Sequence, residues 1–239
     1  MTGSEDGQSA VIDADTIAGF WPGRPADIAP STLRATMDRH GVDRACVVSA
    51  RGIFYDFIAG NSETLDWCRA EPRFIPVGTL DLRILAGYRQ EIRRLSEAGV
   101  KMWRLFPEYQ DWSFDQACFR RAVAALEDAG AVLFVSGQPS AVARAIKGSR
   151  LPVILSSHFY QLGDLLANLE EGAEYYLSLR LTHGPGVLDT LLTEVGAGRL
   201  IFGSNAPLSA MGAVTLRLQE TAQAAGLSPE DRAAIMGGN

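Results

Sequence analysis

Histidine is scarce in this chain. Only His40, His158 and His183 occur in 239 residues, so a histidine-rich metal site cannot be built from it alone. Cysteine is equally scarce. Cys46, Cys68 and Cys118 are odd in number, scattered through apolar patterns and never spaced Cys-x-x-Cys, which argues against a disulfide framework or a thiolate zinc site. They are expected as buried, reduced thiols of a reducing compartment. No run approaches the roughly 18 apolar residues that a membrane helix needs. The opening MTGSEDGQSA is acidic and polar, unlike a signal peptide. A cytoplasmic protein is expected, with residues 1–10 as a disordered lead-in and 11–239 as a single domain. There is no Lys/Arg-rich stretch and the net charge is −6, so nucleic acid and anionic membrane are poor partners. Gly-x-Ser-x-Gly, the P-loop and Gly-x-Gly-x-x-Gly are all absent, and no Ser-His-Asp arrangement stands out.

What is present is alternation. Short runs rich in Val, Ile, Leu and aromatics read as buried strands at 11–15, 45–49, 75–80, 101–106, 132–136, 152–156, 174–180 and 199–204. Amphipathic stretches separate them. Residues 84–98 carry Leu85, Tyr88, Ile92 and Leu95 on one face and stop at Gly99. Residues 113–129 open with Ser113-x-x-Gln116, a capping-box pattern. The closing SPEDRAAIM offers Ser228 as N-cap, Pro229 at the first helical position and two acids in the first turn. Eight βα units with right-handed crossovers predict a parallel sheet, and at this length an α/β fold of the (β/α)8 TIM-barrel type; an open doubly wound sheet is the alternative.

A barrel of this kind places function at the C-terminal ends of its strands. The sequence puts there Asp15, then Ser49 and Arg51, Asp81, Trp103 and Arg104 with Glu108, the stretch SGQPS, His158, Arg180 with His183, and finally Asn205. Plainer readings stand beside these. His158 can cap a loop, His183 lies in the turn THGPG, and the arginines can pair with Asp15, Asp81 or Glu108 instead of a substrate. His40 closes a helix, where its cationic character suits the dipole.

Several stretches carry a family resemblance: VIDADTIAG, AGVKMWRLFP, LPVILSSHF, GAGRLIFGSNAPL and the final LSPEDRAAIMGGN. In this order and spacing they resemble the amidohydrolase-related branch of metal-dependent hydrolases, TIM-barrel enzymes that include hydrolases and some decarboxylases. The resemblance implies a divalent metal such as zinc. Its ligands would be two histidines on strand one, histidines after strands five and six, and a proton-taking aspartate after strand eight. Those positions fall here on Asp15 and Ile17, near Val135 or Ser136, on His158, and on Asn205. Isoleucine binds no metal, and a neutral amide neither takes a proton at pH 7 nor offers much to a hard cation. No tightly bound metal is expected, because only one of these ligands is retained.

Three functions follow. The first is a hydrolase or decarboxylase acting on a small carboxylated substrate such as a lactone, amide or aromatic carboxylate, without a tightly bound metal. There His158, Asp15 and Asn205 are the catalytic candidates; Arg104, Arg180, His183 and Trp103 are the substrate-binding ones. Arginine suits a carboxylate because its fork binds in bidentate fashion. The second is a silent relative that binds a small molecule or serves as a regulatory subunit. The third keeps a metal on Asp15, His158 and a loop carboxylate such as Asp81 or Glu108. Homo-oligomerisation is compatible with all three.

Overall fold

The computed structural model describes residues 10–23, 26–157, 159–181, 184, 186–225 and 227–239, with side chains except at 159, 181, 217 and 221–225. His158, His183 and nearly all of the expected lead-in lie outside the described residues. Eight strands follow one another around a single sheet: β1 (Ile12–Ala18), β2 (Arg44–Ser49), β3 (Phe74–Gly78), β4 (Met102–Leu105), β5 (Val132–Ser136), β6 (Val153–Ser156), β7 (Tyr176–Ser178) and β8 (Leu200–Ile201). Each pairs parallel with the next. The ring closes where Ala14 N donates to Phe202 O (2.9 Å) and Ile17 N donates to Ala206 O (2.9 Å). This is the expected (β/α)8 barrel.

The helices that wrap it are α1 (Pro30–His40), α2 (Ala50–Phe54), α3 (Phe57–Ala70), α4 (Tyr88–Glu97), α5 (Pro107–Gln110), α6 (Ala117–Asp128), α7 (Pro139–Ile146), α8 (Leu162–Glu170), α9 (Val187–Glu194), α10 (Met211–Ala225) and α11 (Pro229–Ala233). Local chemistry sets their ends. Pro30 pre-forms the first turn of α1, and Gly41 ends it in the left-handed region at φ 63°. Asp56 caps α3 by accepting from Ile58 N and Ala59 N. Ser228 caps α11 as expected, accepting from Asp231 N at 3.0 Å.

Some boundaries differ from the pattern. β1 runs on to Ala18, past an irregularity between Asp13 and Thr16, because Ile17 and Ala18 pair with Val48 and Ser49. β7 and β8 are shorter than their apolar runs. The expected capping box fails: α6 begins at Ala117, and Ser113 instead bonds Asp115 in the preceding loop. Trp112 and Phe114 hold that loop off the helix by packing on Phe119. The three cysteines are unpaired but half-buried, not fully enclosed.

Strand alternation divides the interior into two layers. Trp103 and Leu105 of β4 join the core between sheet and helices, whereas Met102 and Phe106 join a second cluster inside the barrel with Ile17, Val48 and Val77. Arg104 therefore points inward between Met102 and Phe106.

Candidate functional site

The inner strand ends bring two arginines to one carboxylate. Arg104 Nε lies 3.4 Å from Asp15 Oδ1, and Arg180 Nη1 lies 3.6 Å from Asp15 Oδ2. The Asp15 side chain is 1% exposed and that of Arg104 2%, whereas Arg180 is 12% exposed. The rest of Arg104 is fixed. Its Nη1 donates to Leu105 O (3.3 Å) and its Nη2 to Ser136 Oγ (3.0 Å). Glu108 Oε1 is 3.9 Å away. The guanidinium carbon sits 4.3 Å from the centre of the Phe134 ring and 4.7 Å from that of Phe106, a cation–π contact with each.

The backbone makes room for this cluster. A Cβ on Gly203 would lie 2.9 Å from Ser178 Oγ and 3.1 Å from Asp15 Cβ, so only glycine lets the chain just after β8 pass so close to Asp15. Asn205 takes the left-handed conformation at φ 61°, which asparagine tolerates better than most residues. Its N–H donates to Asp15 O at 2.6 Å. The stretch GSNAP thus closes the ring against β1 and turns Asn205 into the mouth.

Several buried polar atoms there have no hydrogen-bond partner among the described residues: Asp15 Oδ2, Ser156 Oγ, Arg180 Nε and Nη1, and Asn205 Oδ1. Buried polar groups are nearly always paired, so a cluster of exceptions marks a place prepared for a ligand or ordered water. Two guanidiniums face one fully buried carboxylate, and that balance favours an anion.

The neighbouring part of the mouth is apolar. Ile17 is fully buried beside Trp21, Ile53 and Phe106. Trp21 stacks edge-on against Phe54 (4.8 Å between ring centres) and Tyr109 (5.1 Å). A cavity of about 780 Å³ opens beside Glu108, Ser136 and Gly137, flanked by Trp112 and Phe114.

Of the expected site residues, Asp15, Arg104, Arg180 and Asn205 meet. Trp103 does not: it lies on the outer face of β4, covering Gly78, where an added Cβ would be 2.7 Å from its ring. His158 and His183 fall outside the described residues. Asp81 is held by a bidentate contact with Arg83 (2.9 and 2.8 Å), which takes both of its oxygens.

A divalent cation, as the resemblance implies, does not fit the residues described here. The two strand-one positions hold a carboxylate already facing two cations and an isoleucine packed in an apolar cluster. Of the two residues at the strand-five position, Val135 has no ligating side-chain atom and Ser136 receives the Arg104 guanidinium. Among the described residues, no three His, Cys, Asp or Glu side chains are grouped to hold a metal.

One buried carboxylate beneath the site was not anticipated. Asp13, fully buried, accepts from Ser204 N (2.9 Å), from the Ser204 hydroxyl and from Asp15 N (3.1 Å). Burial pushes its carboxyl up to about 7, against the lowering effect of the Ser204 hydrogen bonds. Its position beside Asp15 in the run Ile12-Asp13-Ala14-Asp15 was the available signal.

The family model described as amidohydrolase matches residues 16–239. No curated protein matches the chain. Solved structures share its fold at low identity. A 5-carboxyvanillate decarboxylase from Novosphingobium aromaticivorans, complexed with manganese and 4-hydroxy-3-methoxy-5-nitrobenzoic acid, is 14% identical, with 98% of this chain and 95% of that chain covered and a TM-score of 0.71. A 2,6-dihydroxybenzoate decarboxylase from Rhizobium is 14% identical, with 95% and 96% covered and a TM-score of 0.69. An uncharacterised TIM-barrel protein from Bordetella bronchiseptica is 16% identical, with 96% of each chain covered and a TM-score of 0.72.

Proposed function

The chain belongs to the amidohydrolase family, and on that premise we propose that it is a hydrolase or decarboxylase of a small carboxylated substrate, working without a tightly bound metal. The observation that carries this reading is Arg180. Among the described residues its Nε and Nη1 are buried without a hydrogen-bond acceptor, next to a carboxylate, 3.6 Å from Nη1, that already faces a second guanidinium. A substrate carboxylate would supply the missing acceptor and balance the charge, with the bidentate geometry that arginine favours. Small carboxylated aromatics are also what the two decarboxylase neighbours act on by name.

In this reading Asp15 is a positioning residue. It holds the two guanidiniums at fixed angles, so they are ready for charge that develops on a substrate oxygen. Asn205 Oδ1 accepts from a substrate hydroxyl or from a water. His158, which follows β6 in sequence, gives or takes the proton, the task for which an imidazole is suited near neutral pH. The unpaired cysteines agree with a cytoplasmic setting. No helix among the described residues is long and apolar enough to cross a membrane. Association with a second copy belongs to the same proposal, supported by exposed Phe20, Tyr55, Ile58 and Ile84 on the segments that follow β1, β2 and β3.

The apolar cluster around Ile17 favours a second reading, a silent barrel that binds a ligand without turning it over. Both readings need the anion site. Titration with a panel of carboxylated aromatics and lactone carboxylates tests it, with Arg180→Ala as control. The variant is expected to bind at least about tenfold more weakly, the loss of one charge-assisted contact. Equal binding by both proteins would remove Arg180 from recognition. Turnover by the wild type then separates the enzyme from the silent barrel.

A further inference from the structure

We infer that the Arg104 guanidinium is a built-in cation that takes the place a divalent metal holds in this family, and that it excludes such a metal from the mouth. The inference rests on the metal-free reading above and specifies what replaced the metal. Arg104 joins two of the positions from which a metal would be held. Through Nε it reaches Asp15, where the first strand-one histidine is expected, and through Nη2 it reaches Ser136, one of the two residues at the strand-five position. It does so from inside the barrel, buried, against the rings of Phe134 and Phe106.

Charge explains the otherwise odd residue choices. A neutral histidine at position 15 would leave the buried guanidinium only the partly exposed Glu108, 3.9 Å away, as counter-charge, whereas Asp15 pairs with it from a buried position. The metal-binding arrangement sets one divalent ion and neutral imidazoles against one aspartate, for a net single positive charge. Here Arg104 and Arg180 face Asp15, and Asn205 is neutral, so these four side chains again carry a single positive charge, with Glu108, partly exposed and 3.9 Å from Arg104, at the rim outside them. The strand-eight asparagine then belongs to the same exchange: an aspartate there would cancel the charge that attracts the substrate. Ile17 needs no replacement ligand and fills the inner layer with apolar contacts.

A fixed guanidinium also repels a divalent ion approaching Asp15, an effect that is strong where water is excluded. This makes metal uptake the property to measure. Equilibrium dialysis of the full, untagged chain against Mn²⁺ or Zn²⁺ is expected to leave the wild type essentially metal-free. Arg104→Met removes the charge but keeps the bulk, and is expected to raise Mn²⁺ affinity at least about tenfold, the scale on which the surroundings of a metal tune it. Arg104→Lys keeps a cation and is expected to stay metal-free. Arg104→Gln, which can still donate to Ser136, replaces the methionine variant if circular dichroism shows that the latter does not fold. Stoichiometric metal in the wild type, or no gain in a folded uncharged variant, overturns the inference. Carboxylate binding that survives Arg180→Ala is a different failure: it refutes the anion site and leaves the metal result standing.

Discussion

Replacing Asp15 by asparagine removes the one fully buried carboxylate that faces Arg104 among the described residues. The arginine side chain is 2% exposed and cannot reach water without breaking the cation–π contacts with Phe106 and Phe134. Removing one partner of a buried ion pair costs about 3–5 kcal/mol, because the other charge is left uncompensated. The lower end applies here. The asparagine Oδ1 can still accept from Arg104 Nε, and Ser136 Oγ and Leu105 O keep their bonds to the guanidinium. A loss of about 3 kcal/mol is therefore expected in urea unfolding, which at a slope of about 3 kcal/mol per molar lowers the midpoint by about 1 M. A double-mutant cycle sharpens the test. In the Asp15→Asn background, Arg104→Met should cost less than in the wild type, with a coupling energy of about 1–3 kcal/mol. A loss below about 1 kcal/mol for Asp15→Asn, or additive effects of the two substitutions, would refute the account of the pair.

Other consequences follow from the same strand ends. Asp13 holds its proton more tightly when folded, with a value of about 7 against an ordinary 3.8, because burial disfavours its charge. The stability it confers is full below its ordinary value and is lost as pH rises toward and through 7. Urea unfolding followed from pH 4 to 8 should show that decline, and Asp13→Asn should flatten it. Gly203→Ala drives a Cβ against Ser178 Oγ and Asp15 Cβ, so a melting experiment should report a loss of about 1–3 kcal/mol, the usual cost of overpacking.

Much of this was legible in the sequence. Eight short apolar runs between amphipathic stretches give the barrel, and its strand ends name Asp15, Arg104, Arg180 and Asn205. Trp103 shows where reading by position stops. It is adjacent to Arg104 on one strand, and strand neighbours point to opposite faces, so both cannot enter the same mouth. Asp13 read only as a strand residue, its buried pairing hidden because its partner, Ser204, lies 191 residues away. The cluster of Trp21, Phe54 and Tyr109 comes from one loop and two short helices far apart in sequence, and no local period announces it. The exchange of metal for guanidinium needs the contact between β1 and β4, 89 residues apart in sequence.

The central claim is that the charge of the mouth comes from the chain's own arginines. Calorimetric titration with a carboxylated aromatic that the wild type binds, run with and without excess chelator, tests it most directly. The account predicts the same affinity in both conditions and a loss of at least about tenfold in Arg180→Ala. Binding that disappears with chelator, or that ignores the arginine, would contradict it.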